Sequence, residues 1–141
     1  MNLTFTPATD ADATLLAQLN CQLIIDEQHR NAMTPSELEE RMRGWLSRGE
    51  YEAVLFHVER QLAGYALFRR EPEHVYLRQF FIAEAFRRRG LGRAAITWLR
   101  ENAWQGTPRV RLEVLIQNER AIAFWRSVGF ADYCLTMEMN A

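Results

Sequence analysis

At 141 residues the chain is long enough for one hydrophobic core and too short for two. Hydrophobic residues make up 48% and charged residues 25%, which excludes a disordered or fibrous chain. Lys and Arg number 17 against 18 Asp and Glu, a formal charge of −1 without the basic excess expected when the main partner is nucleic acid. Cys21 and Cys134 are too few and too far apart for a disulfide framework or a zinc site, so no metal is expected. No run approaches the ~20 apolar residues of a membrane helix, and the N-terminus lacks the basic flank and apolar run of a secretory signal. The expectation is a cytoplasmic protein with no membrane partner.

In chain order, LTFT (3–6) reads as a short strand ending at Pro7. A helix follows, capped by Thr9 or Asp10, with Leu16, Leu19, Leu23 and Ile24 on one face. The segment TPSELEERMRGWLSRG has Thr34 as N-cap, Pro35 at the first helical position and Glu37 closing a capping box. Its Leu38, Met42, Trp45 and Leu46 form a stripe, and Gly49 is the stop. YEAVLFHV and LAGYALFR, separated by ERQ, read as a hairpin, and HVYLRQFFI as a third strand. A glycine-containing loop then leads into a helix around Leu91, Ala95, Trp98 and Leu99, broken at QGTP. The strand RVRLEVLI, a helix carrying Ala121, Ile122, Phe124, Trp125 and Val128, and a last strand YCLTMEM complete the chain. The order is β-α-α-β-β-β-α-β-α-β in a single domain over 1–141. This is an α/β fold in which a hairpin-rich antiparallel half meets one crossover unit.

The stretch RRRGLGRAA (87–95) places arginines and glycines where a helix begins. Unpaired backbone N–H groups point outward there and carry the positive end of the helix dipole. Gly90 and Gly92 remove Cβ atoms that would hold a phosphate away, and Arg87, Arg88, Arg89 and Arg93 add guanidinium donors. A phosphate-bearing ligand is expected. Gly90, Gly92 and Ala95 fit the dinucleotide pattern G-x-G-x-x-G/A, but AEAFRRR separates them from the preceding strand and the chain has one crossover where two wound halves are needed. The P-loop is excluded, since no Gly-Lys-Ser/Thr follows.

The sequence resembles the GNAT superfamily of N-acetyltransferases. That family's pyrophosphate loop, Arg/Gln-x-x-Gly-x-Gly/Ala, stands here as Arg87-Arg88-Arg89-Gly90-Leu91-Gly92 after FFIAEAF. A second pattern appears in LEVLIQNERAIAFWRSVGF, with Glu113, Asn118, Ala121, Phe124, Gly129 and Phe130 in register. The resemblance implies a mixed, mostly antiparallel sheet flanked by helices, with a splayed cleft between the 75–82 and 109–116 strands, opened by a bulge whose position the sequence does not give. It implies acetyl-CoA as co-substrate and a primary amine, on a small molecule or a peptide, as acceptor. The pyrophosphate is then expected on residues 88–93 and the pantetheine arm along Phe81 and Ile82. Asn118, Ala121, Phe124 and Trp125 lie opposite, and the Ile82 N–H polarises the thioester carbonyl.

Attack by an amine of pKa about 10 needs a base, usually through water. Glu113 interrupts an apolar strand, where burial would raise its pKa, and it falls where some family members place their base. The alternative is a structural carboxylate paired with Arg111 or Arg78; Glu84 and Asp26 are the other carboxylates considered. Many family members carry a tyrosine acid where this chain has Trp125, whose indole cannot protonate a thiolate. Tyr133, Tyr76 or Cys134 can replace it only if the fold brings one near the sulfur. Otherwise a thiol of pKa about 8.5 leaves unaided. For the acceptor, Asp26 and Glu27, with His29 and Glu37, offer an acidic rim suited to a cationic amine, and Phe80 with Trp45, Tyr51 and Phe81 can wall a pocket. A non-catalytic acyl-CoA-binding or sensing module is the competing reading, favoured by Trp125. A nucleic-acid-binding domain is disfavoured by net charge. A homodimer is compatible with the sequence, although no apolar stripe demands it.

Overall fold

Strands β1 (Leu3–Pro7), β2 (Glu52–Val58), β3 (Gln61–Arg70), β4 (Val75–Ile82) and β5 (Val110–Arg111) form one sheet in that spatial order in the computed structural model, which describes residues 2–141. Neighbours from β1 to β4 run antiparallel, and β5 joins β4 in parallel. Helices α1 (Ala13–Asp26) and α2 (Pro35–Ser47) cover one face; α3 (Leu91–Trp98) and α4 (Glu119–Ser127) pack on the other. Local chemistry sets the helix starts. Thr34 and Glu37 exchange the two hydrogen bonds of a capping box, and Thr9 with Asp12 does the same for a 3₁₀ turn that leads into α1. Beyond α2, Gly49 takes the left-handed conformation that ends it, at φ +71°.

The central strands are buried on both sides, so they separate two cores. Leu16, Met42, Tyr65 and Leu67 meet under α1 and α2, whereas Phe56, Phe68, Ile96 and Leu99 meet under α3. The feature that positions the candidate site is a break in the β3–β4 ladder. Leu67 lies opposite Gln79 and Phe68 opposite Leu77, so Arg78 is an extra residue in β4. A bulge of this kind bends its strand and sharpens its twist. After it, β4 leaves its parallel partner: only Val75–Val110 and Tyr76–Arg111 are paired. The strand expected over 109–116 therefore shortens to Val110–Arg111, and the expected splay between the two segments is present.

The final strand expected over YCLTMEM does not form. Residues 131–141 are exposed throughout, and among the described residues their backbone makes no hydrogen bond. The alternation of Tyr133, Leu135, Met137 and Met139 that suggested it is real, but these side chains are 63–88% exposed. A strand pattern becomes a strand only beside a partner.

Gly64 sits at the end of the β3–β4 ladder opposite Ile82, and a Cβ there would collide with the Phe81 carbonyl oxygen. Gly64→Ala is therefore expected to destabilise the fold by about 1–3 kcal/mol, read by urea unfolding, because backbone and not a flexible side chain must give way.

Candidate active site

Between β4 and α3 the chain makes one 3₁₀ turn (Glu84–Phe86) and then two left-handed residues, Arg88 at φ +64° and Gly90 at φ +75°. The first backbone bond of the following helix is Ala94 N–H to Gly90 O. Among the described residues, the N–H groups of residues 88–93 find no acceptor in the protein. Left-handed and helical residues in alternation turn such groups toward one point, forming an anion-binding nest. Arg88 and Arg89 are exposed beside it, with Arg89 lying over the Phe86 ring at 5.6 Å. Each glycine also has a duty within the fold. Gly90 supplies the left-handed turn, and a Cβ there would meet open space. Gly92 makes room for Phe124, whose ring would lie 2.9 Å from a Cβ at that position. Leu91 is buried with Val58 and Ala63 and anchors the start of α3.

Ala83 donates its N–H to Ala63 O at 2.7 Å, toward β3. By the alternation of a strand, the N–H and C=O of Ile82 point the other way, into the cleft. The Ile82 carbonyl accepts from Arg87 Nε at 2.7 Å, and Arg87 Nη2 bonds Asp26 Oδ2 at 2.5 Å. Arg87 and Asp26, expected on pyrophosphate and on the acceptor respectively, are thus spent on each other and on the end of β4. An open cleft of about 240 Å³ lies here, lined by Gln22, Ile25, Asp26, Phe81, Glu84 and Arg87. Glu27 is half-buried nearby, and burial, then Asp26, raises its pKa.

On the opposite side α4 presents an aromatic shelf. Trp125 packs edge-on against Phe80 at 5.2 Å, Phe124 at 4.9 Å and Phe130 at 5.3 Å. Phe80 therefore belongs to the α3/α4 face and does not join Trp45, Tyr51 and Phe81 on the other. Asn118 serves as N-cap of α4, accepting from Ala121 N–H at 3.2 Å. Arg93 ties the loop to this helix through Ser127 O at 3.0 Å.

Glu113 is exposed, so the burial expected of it does not occur, because the 112–116 segment has lost its strand neighbours. Nor does it pair with Arg111 or Arg78. Its Oε1 accepts the Tyr76 hydroxyl at 2.9 Å, a bond that spans the cleft from β4. Burial, then this hydrogen bond to the carboxylate, pushes the Tyr76 pKa up to about 12.

The sequence reading passed over a polar network on the α1/α2 face. Tyr65 donates to Gln79 Oε1 at 2.7 Å, and Gln79 and Arg41 both reach Asn20 Oδ1 at 3.4 Å. Asn20 and Gln79 are buried polar residues on otherwise apolar faces, and that interruption of the pattern was the available signal. Among the described residues, no group of three or more His, Cys, Asp or Glu is arranged to hold a metal, and no helix is long and apolar enough to cross a membrane.

The family model described as the acetyltransferase (GNAT) family matches residues 20–130, and the chain belongs to that family. By sequence, no curated protein gives a match. Among solved structures, a ribosomal-protein-alanine N-acetyltransferase from Brucella melitensis biovar Abortus 2308 superposes with a TM-score of 0.79 at 16% identity, covering 99% of this chain and 100% of that one. An aminoglycoside N-acetyltransferase in complex with CoA gives 0.79 at 13% identity, covering 99% and 95%. A protein described as a predicted acetyltransferase, with acetyl-CoA, from Clostridium acetobutylicum gives 0.75 at 15%, covering 99% and 96%. At these identities the likeness carries the fold alone.

A raised phenol pKa favours the folded state below the free-tyrosine value and ceases to do so as pH climbs past the folded value. Stability is therefore expected to fall as pH rises from about 10 to about 12 through Tyr76. Ultraviolet titration of the wild type minus Tyr76→Phe should show a phenol ionising near pH 12. In Glu113→Gln that ionisation moves down, because the carboxylate contribution is lost while burial remains.

Proposed function

We propose that the chain transfers an acetyl group from acetyl-CoA to a primary amine. The observation that carries this reading is the run of acceptor-less N–H groups at 88–93 beside the cleft-facing N–H of Ile82. When bound, acetyl-CoA supplies the thioester that is attacked. On this reading the residues 88–93 and the exposed Arg88 and Arg89 hold its diphosphate. Phe81 and Ile82 line the arm on one side, and Asn118, Ala121, Phe124 and Trp125 on the other.

The Ile82 N–H donates to the charge that develops on the thioester oxygen. A fixed backbone donor does this without reorganising. Arg87 and Asp26 act as positioning residues, holding the Ile82 carbonyl, one peptide unit beyond the donating N–H. Glu113 takes the amine proton through a water. The Tyr76 hydroxyl occupies its Oε1 and leaves Oε2 for the water. Tyr76 remains protonated at neutral pH, so it fixes the carboxylate without competing as a base. Trp125 is fixed in the aromatic shelf and supplies no proton; the thiolate leaves unaided.

A panel of amines assayed by free thiol release tests the reading. Release should depend on amine. Glu113→Gln should lower kcat/KM by about 10²–10⁴-fold and alter its pH profile, whereas the Trp125→Phe profile keeps the wild-type shape. Calorimetry that finds neither acetyl-CoA nor CoA bound overturns the proposal. Binding with no amine-dependent release favours instead the non-catalytic acyl-CoA module for which Trp125 argues.

A further inference from the structure

The α1/α2 face of β4 carries two cations that the chemistry above does not use. Arg78, the bulge residue, and Arg41 of α2 both place their guanidinium groups over Trp45, at 4.8 and 4.5 Å from the ring centroid. Arg78 Nη1 also donates to the Tyr51 hydroxyl at 3.3 Å, which accepts from Arg69 at 3.1 Å. Arg69 has Glu71 as its counter-charge. Arg41 and Arg78 have none: among the described residues no carboxylate lies within 4.0 Å of either. Arg41 reaches only the neutral Asn20, through a long 3.4 Å bond, and its Nε is buried without an acceptor.

This is a costly arrangement for an unliganded surface. Aromatic faces offset part of the charge, but they give the N–H groups no acceptor. Burial, then the neighbouring and exposed Arg78, lowers the Arg41 pKa, so Arg41 is held against its own desolvation and the repulsion of a second cation. A guanidinium fork matches a carboxylate in charge, planarity and donor spacing. Of the acids of this region, Asp26 is paired with Arg87, and Glu27 is half-buried with its pKa raised by burial and then by Asp26.

We propose that the acceptor is a small amine that also carries a carboxylate, with the carboxylate on Arg41 and Arg78 and its apolar body against Trp45 and Tyr51. This rests on the acetyl-transfer reading and names the substrate class of the same site. The placement is consistent with the base. Tyr76, which holds Glu113, precedes Arg78 by two positions in β4 and shares Arg69 with Tyr51 through stacking at 5.5 and 5.2 Å. Carboxylate and amine ends would then lie on one face of the cleft.

The test is thiol release by the native protein with matched sets of amines: an amino acid, its carboxamide and the corresponding decarboxylated amine, with a polycationic aminoglycoside alongside. The carboxylate member should be preferred by at least tenfold in kcat/KM, and Arg78→Gln or Arg41→Gln should shrink that ratio about tenfold, chiefly through KM. The comparison within the native protein needs no variant, so a variant that fails to fold does not weaken it. Equal or better use of the amide, the decarboxylated amine or the aminoglycoside overturns the carboxylate assignment and leaves acetyl transfer standing. Acetyl-CoA binding without release from any amine overturns the transfer reading, and this one with it.

Discussion

A backbone N–H taken from water must find an acceptor or lose the free energy of a hydrogen bond. Between β4 and α3 this chain leaves the cleft-side N–H of Ile82 and the N–H groups of residues 88–93 without protein partners. Much of the surrounding structure serves to hold that stretch in shape. Arg87 and Asp26 fix the carbonyl before it, and left-handed Arg88 and Gly90 turn the chain through it. The Gly92–Phe124 contact and the Arg93–Ser127 bond fasten it to α4 from the far side. Donors held in this way need no rearrangement to meet an anion, which is the advantage of backbone over side chain in such a role.

Electrostatics divides the molecule in a way its net charge conceals. The formal charge is −1, yet both candidate ligand surfaces are cationic: the arginine loop, and the Arg41–Arg78 pair on the opposite face of β4. The exposed ion pairs elsewhere, such as Arg30–Glu138 and Arg126–Asp132, hold long side chains in solvent and contribute little. Arg87–Asp26 differs because its product is geometric. It fixes the end of β4, one peptide unit beyond the N–H that the proposed chemistry uses.

Features governed by neighbours in sequence were legible before the fold. The Thr34 capping box and the Gly49 stop depend on residues within a turn of one another, and they stand where the pattern put them. Features governed by distant neighbours were not. Glu113 looked buried because its strand is apolar, but burial requires flanking strands, and β4 has bent away. The YCLTMEM alternation met the same fate for want of a partner. Gly92 read as clearance for a phosphate, and the Phe124 ring, 32 positions later, adds a requirement within the fold that the sequence did not show. The Arg41–Arg78 pair was invisible because α2 and β4 are distant in sequence and the two side chains meet only over Trp45.

The bulge at Arg78 has a consequence for how such a protein can change. Swapping the side chain there alters what the cleft's rim presents, but the ladder remains one residue out of step. Deleting the residue would bring Gln79 and Leu77 into consecutive pairs with β3, straighten the strand and let it zip to its parallel neighbour, sealing the mouth. The opening of the sheet is thus tied to the number of residues in β4 at this point, and not to which side chain stands there.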